Sequence, residues 1–389
     1  MTNPLLTPSA LEYELPPFES INDGHYREGF QVGMAEQKAE IAAIIDLGEP
    51  VTFDNTVVAL ERSGATLTRV SNIFFNKSSS DTNDEIDAIE AEFAPLLSAH
   101  EDSIMLNPDL FARISWLFEN RASLTLDEDD SWLLELYYKD FVHAGAALEA
   151  DKRERLKAIN EELSTLETQF SKNVLADSND LAIVIDDERE LAGLTKSQIA
   201  SASKAAESRG LSGKWLITMV NFTGHPLLAS LENRELREKI MKASLSKGDR
   251  GNEFDTKSIA KKMANLRAER AALFGRKNHA EYVTSMQTSG SPENVHEMLR
   301  KIAPNARRNA QREGADLQAR ITTEGQNHDL QSWDWDLYTE KVRQERYSID
   351  SAALKPYFEL DRVLHDGVFF AAGKLFGLRF VERKDLVGY

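Results

Sequence analysis

Between Leu156 and Val174 the apolar positions Leu156, Ile159, Leu163, Leu166, Phe170 and Val174 advance by three or four residues at a time, while Lys157, Glu161, Glu162 and Lys172 fall between them. Steps of that size keep the apolar side chains on one face of a helix and send the charged ones to the other. The pattern predicts a long amphipathic helix. It is sustained for under three heptads, so an antiparallel helical hairpin inside a bundle is expected rather than a free coiled coil.

The punctuation of the chain predicts further helices. Thr195 followed by Gln198 has the form of a capping box before Ile199, and Gly210 is placed to end that stretch. Lys257 to Leu273 carries Ile259, Met263, Leu266 and Leu273 on one face, with Gly275 as terminator. Ser291-Pro292 reads as N-cap and first helical residue of a segment with Val295, Leu299 and Ile302 along one side, which Pro304 is expected to break or kink. Leu181 to Ile185 and Trp215 to Val220 are short and β-branched and read as strands of a small sheet packed on helices. Turn chemistry is richest in the first 18 residues and in the cluster Ser78 to Asp84. The fold class implied is mainly α, a multi-helix bundle with a small β element. A soft boundary is placed at Asp177 to Asp187, which gives a helical domain over 1–180 and a second, with the β element, over 181–389.

Composition narrows the function classes. The chain has 389 residues, 41% of them hydrophobic and 28% charged, and no apolar run approaching the 18 residues a membrane helix needs. It is expected to be a globular protein of the cytoplasm, because the first residues lack the basic and apolar regions of a secretory signal. It contains no cysteine, which removes disulfides, thiolate nucleophiles and Cys metal sites. The sequons at Asn76 and Asn221 then carry no glycosylation meaning. A net charge of −18 argues against nucleic acid as a partner, since such a surface repels phosphate backbones.

The chemistry-bearing motifs read as ordinary structure. The eight histidines are His25, His100, His143, His225, His279, His296, His328 and His365, and the nearest two are 17 residues apart. A zinc hydrolase helix needs two imidazoles one turn apart with a Glu between them, and no His-Glu-x-x-His occurs. His296-Glu297-Met298-Leu299-Arg300 comes nearest, but it puts a guanidinium, which binds no cation, at the second ligand position. It reads as a solvated helix face. Asp127-Glu128-Asp129-Asp130 lacks the glycine and distal Glu of a calcium loop and reads as a helix N-terminus. Gly210-Leu211-Ser212-Gly213-Lys214 has the wrong spacing for a phosphate loop. Gly373 and Gly377 are read as a close helix-packing pair. No residue is assigned a catalytic, cofactor-binding or metal-binding role.

Several segments together resemble the bacterial peptidyl-dipeptidase (dipeptidyl carboxypeptidase) branch of the thimet-oligopeptidase family of zinc metallopeptidases. They include NPLLTPS from Asn3, FDNTVVALERSG from Phe53, FVHAGAALEADKRERLKAINEELSTLETQFSKNVL from Phe141, and GLSGKWLITMVNFTGHPLLASLENRELREKIMKAS from Gly210. WDWDLYTEKVR from Trp333 and LKPYFELDRVLHDGVFFAAGKLFGL from Leu354 complete the series, in family order from the first residues to the last. The resemblance implies a helical, two-lobed peptidase with a deep channel, releasing dipeptides from the C-terminus of short peptides. It also implies that the zinc, its ligands and the Glu base lie in a back half to which no residue here corresponds. After Glu382-Arg383-Lys384-Asp385-Leu386 the family continues Pro-Val-Tyr-His-Pro, whereas Val387-Gly388-Tyr389 stands here.

The chain is therefore expected to be the non-catalytic front half of such a peptidase, cut before the zinc-binding region and inactive alone, with no cofactor of its own. The alternatives are a stand-alone helical peptide-binding or regulatory protein and a new activity built on the retained residues. Short peptides and a complementary C-terminal half are the expected partners, with no membrane. Self-association is the other expected way to cover Leu360, Val363, Leu364, Val368, Phe369, Phe370, Leu375, Phe376, Leu378 and Phe380, which together make a large apolar patch if left open.

Overall fold

A computed structural model of the chain describes residues 3–220, 226–348 and 351–386. His225, the sequon at Asn221 and the terminal Val387-Gly388-Tyr389 lie outside the described residues. In chain order the helices are α1 His25–Ile45, α2 Ala59–Arg62, α3 Ala65–Ser80, α4 Asp84–Met105, α5 Pro108–Glu119, α6 Glu128–Ala144 and α7 Ala150–Asp180. After strand β1, Ile183–Ile185, come α8 Lys196–Glu207, strand β2, Trp215–Ile217, α9 Arg234–Leu245, α10 Lys257–Leu273 and α11 His279–Thr284, then α12 Pro292–Thr323 and α13 Trp335–Tyr347. The fold is mainly α, and among the described residues it has one two-stranded sheet.

The chain divides into two compact units. The first takes the residues up to Ser171, then Ile259–Ser291 and a few residues from Lys384 onward; the second takes Lys172–Ser258 and Pro292–Arg383.

In the first unit Tyr26 and Phe30 of α1 meet Val70, Ile73 and Phe74 of α3 and Ile86, Ile89 and Phe93 of α4 in a buried cluster closed by Leu5. Phe30 stacks on Phe93 at 5.0 Å and meets the edge of Phe74 at 5.1 Å. The helices approach closely because α1 presents a glycine: a Cβ at Gly33 would lie 2.8 Å from the Leu67 Cα. A second cluster joins Ile41 and Ile44 of α1 to Leu110 and Ile114 of α5 and Phe141 of α6. The predicted amphipathic helix is α7. Its Ile159 and Leu163 pack against Met263 and Leu266 of α10, the helix read from Lys257 to Leu273. Arg155 pairs with Glu269 at 2.6 Å, and Glu162, further along α7, with Lys262, so the two helices are antiparallel. The partner is thus delivered from far along the chain, not by the next helix. Gly275 takes a positive φ of 67° just past α10, as a terminator does.

In the second unit β1 and β2 are antiparallel, with Ile183 opposite Ile217 and Ile185 opposite Trp215. Ile183 and Ile185 face a core with Leu191, Met219, Leu228, Leu231, Leu236 and Ile240, and Val184 points outward. The capping box at Thr195 and Gln198 is formed: each side chain accepts the other residue's backbone N–H. Leu317 and Ile321 of α12 pack with Leu337 and Tyr338 of α13. α12 does not stop at Pro304. The bond that proline removes lies on a stretch that is exposed throughout residues 301–310, where water reaches the freed carbonyl.

One buried ion cluster pins this unit. Asp334 is fully buried and accepts from Arg237 at 2.8 Å and from Arg234 at 2.9 Å. The Arg237 guanidinium also donates to the carbonyls of Leu231, Glu232 and Trp333, so its donors are spent on fixed acceptors. Burial alone would raise the Asp334 carboxyl, but the bonds from Arg234 and Arg237 outweigh it and hold it below the usual range.

From Leu360 to Phe376 three short helical segments follow one another, and Leu360, Val368, Phe370, Leu375 and Phe376 are exposed. Phe369 stacks on Phe380 at 4.2 Å. The packing expected at Gly373 and Gly377 is not found. Gly377, at a φ of 68°, ends the last helix with open space around it, and a Cβ at Gly373 would meet only the Leu378 carbonyl of its own turn.

Candidate functional site

The first unit holds a cavity of about 680 Å³ between residues of α3, α4, α6, α7, α10 and α11. Polar side chains converge on it from five helices, α4, α6, α7, α10 and α11. Asp102 on α4, 8% exposed, accepts from the Asn160 Nδ2 of α7 through both carboxylate oxygens, at 2.9 and 3.1 Å. Arg270 of α10 reaches the Asn160 Oδ1 at 3.5 Å. Burial pushes Asp102 up to about 6; the bond from Asn160 opposes this and the neighbouring Glu101 adds to it.

Across the same cavity the His143 ring of α6 stacks on Tyr282 of α11, with centroids 4.1 Å apart and planes 16° apart. The Tyr282 hydroxyl donates to the His143 carbonyl at 3.0 Å, and the Arg270 guanidinium lies 5.4 Å from the Tyr282 ring centre. Burial, and then the charge of Arg270, holds His143 below the usual imidazole range, so the ring is neutral at pH 7. Burial also raises Asp140, against the pull of His143.

A neighbouring cavity of about 540 Å³ shares Phe75, Leu97, Glu101 and Met105 with the first. Its polar groups include His100, 2.7 Å from the Gln37 Oε1, and Tyr137, whose hydroxyl donates to Glu61 at 2.6 Å. The arrangement suits binding: the groups are held by bonds to one another and face an open cleft, with a weakened carboxyl and a cation available to a polar ligand.

The motifs singled out in the sequence lie elsewhere and behave as ordinary structure. His296, Glu297 and Arg300 are exposed on α12. Asp127 caps α6, accepting the Asp130 N–H at 2.8 Å. Lys214 pairs with Asp186 at 2.8 Å. Among the described residues no group of three or more His, Asp or Glu is placed to hold a metal ion.

Asp102, Asn160, Arg270 and Tyr282 were not found by sequence reasoning. Two of them left a signal. Asn160 sits beside Ile159 on the shoulder of the Leu156, Ile159, Leu163 stripe, and Arg270 interrupts the series Met263, Leu266, Leu273. A polar residue in a slot where the helical period calls for an apolar one marks a group that must find a partner inside.

Residues 227–388 match peptidase family M3. Over 387 residues, all of this chain, the sequence is 40% identical to a dipeptidyl carboxypeptidase of Escherichia coli, covering 57% of that protein. It is 39% identical to the dipeptidyl carboxypeptidase of Salmonella typhimurium over 388 residues, again 57% of that protein. It is 28% identical to oligopeptidase A of Escherichia coli over 390 residues, 99% of this chain and 56% of the relative. The chain spans little more than half the length of the curated relatives it matches.

Proposed function

Taking as the premise the resemblance to dipeptidyl carboxypeptidases that runs through the whole of this chain, we propose that the chain is the non-catalytic front part of a peptidyl-dipeptidase-like zinc peptidase that acts on short peptides. One observation carries the reading: the resemblance runs through all of the chain, yet no His-Glu-x-x-His lies within it. The chain then supplies helical walls and polar groups that hold a peptide, while the metal, its ligands and the base come from sequence matching the remainder of the relatives. Hydrolysis needs stabilisation of the tetrahedral transition state, which the residues present do not provide. The cytoplasm is the compartment we propose; no helix of the described residues is long and apolar enough to cross a membrane.

The test is reconstitution. The purified 389-residue chain is assayed for dipeptide release from a short blocked peptide and for zinc by elemental analysis, alone and after mixing with a polypeptide matching the remainder of the relatives. No release and no stoichiometric zinc are expected alone, and metal-dependent release after mixing. Dipeptide release by the chain alone, free of host peptidases, overturns the reading. The cavity of the first unit favours a second reading, a stand-alone peptide-binding module; peptide binding without restored release would select it.

A further inference from the structure

A third cavity in the first unit carries the opposite charge to the chain as a whole. Residues of α6, the turn after α10, α11 and the loop that follows enclose about 570 Å³, lined among others by Trp132, Lys139, Phe274, Arg276, Tyr282 and Met286. None of its lining residues is acidic, although Asp and Glu outnumber Lys and Arg by 64 to 46 in the chain. The 680 Å³ cavity, which shares the His143–Tyr282 stack, is the reverse, with Glu101, Asp102, Asp140 and Glu167 set against Arg270. A concave site of one sign in a molecule of the other concentrates counter-ions of the matching ligand.

Its apolar surface is left open. Trp132 is 60% exposed and Met286 42%, more than a large side chain needs to be where packing is available. Phe274 and Tyr282 form an aromatic floor, 4.9 Å apart. Lys139 is already engaged, paired with Glu135 at 2.5 Å and lying 5.6 Å from the Trp132 ring centre. Arg276 has no carboxylate partner among the described residues. Its planar fork matches a carboxylate through two parallel N–H bonds.

We propose that this cavity binds a carboxylate carried on an aromatic or long aliphatic group, with the apolar part against Trp132, Met286 and the Phe274–Tyr282 floor and the carboxylate on Arg276. The C-terminal residue of a short peptide and a free aromatic acid share this chemistry. Only the choice of a peptide as one source rests on the peptidase reading; the site itself does not.

The test is binding, measured by calorimetry on the whole 389-residue chain at low salt, so it is independent of any hydrolysis. The probes are N-acetylphenylalanine, its amide, 3-phenylpropionate and acetyl-Gly-Gly-Phe. The acid is expected to bind roughly tenfold tighter than the amide. Arg276→Ala removes that preference, and Trp132→Ala weakens acid and amide alike. Both side chains are exposed, and circular dichroism confirms that each variant folds. Equal binding of acid and amide, no binding at millimolar probe, or a preference that survives in Arg276→Ala overturns the proposal. If the peptide binds tighter than phenylpropionate, the source is a peptide C-terminus; if not, it is a free acid, and either supports the site.

Discussion

Replacing Asp102 by asparagine is expected to stabilise the first unit at neutral pH, with an effect that fades in acid. The carboxyl rises from 3.8 to about 6 in the fold, burial being the main cause. A pH unit is worth about 1.4 kcal/mol, so the ionised side chain costs up to about 3 kcal/mol of stability. Solvent entering the cavity trims this to about 1–3 kcal/mol. The sign follows from the direction: a raised carboxyl favours the folded state fully below pH 3.8, and that contribution is lost as pH climbs through about 6. The amide that replaces the carboxylate retains an oxygen for the Asn160 Nδ2. The variant should therefore exceed the parent by about 1–3 kcal/mol at pH 7.5 and match it near pH 4. Hydrogen exchange in urea of the amides of α4 and of α7 up to Ser171, read by mass spectrometry from pH 4 to 8, isolates the first unit. A variant less stable than the parent at pH 7.5, or a difference independent of pH, refutes the reasoning, because the Asp102 charge would then be stabilised by Arg270 more than burial penalises it.

Asp334→Asn should cost the second unit about 3–5 kcal/mol, since Arg237 is left buried without its counter-charge. Urea unfolding followed through the adjacent Trp333 measures it. The parent should lose the same stability as pH falls below the carboxylate range, because this carboxyl is held low in the fold. We further expect the 389-residue chain to self-associate at micromolar concentration through the exposed Leu360–Phe380 segment. Leu375→Ser with Phe376→Ser should weaken association by about a hundredfold or more, at about 1.5–3 kcal/mol for each apolar side chain no longer buried. Light scattering that shows a monodisperse monomer for the parent removes this expectation.

Local signals in the sequence were translated faithfully. The Leu156 stripe, the Thr195 capping box and the helix start at Asp127–Asp130 depend on residues within a turn or two of each other and stand where the pattern placed them, while the two strands form inside their predicted segments but span only Ile183–Ile185 and Trp215–Ile217. Pro304 does not break α12, where its exposed position lets water satisfy the carbonyl it frees. Gly373 and Gly377 depart from their expectation because a glycine pair four residues apart reads the same whether it admits a neighbouring helix or ends its own. The cavity was illegible for a different reason. Asp102, His143, Asn160, Arg270 and Tyr282 come from five helices, and nothing in the spacing of one helix states which side chains of another will face it.

The antiparallel pairing of α7 with α10 has a consequence for the order in which the chain acquires structure. The Leu156, Ile159 and Leu163 face is made early, but the Met263 and Leu266 that cover it arrive only after Lys172–Ser258 has been synthesised. The first unit therefore cannot finish folding as its own sequence emerges. It must hold an apolar stripe open, or cover it with something else, until the returning helices close a long loop. Contacts so distant in sequence slow the final step. A fragment stopped anywhere before α10 would present that stripe to chaperones and to other copies of itself.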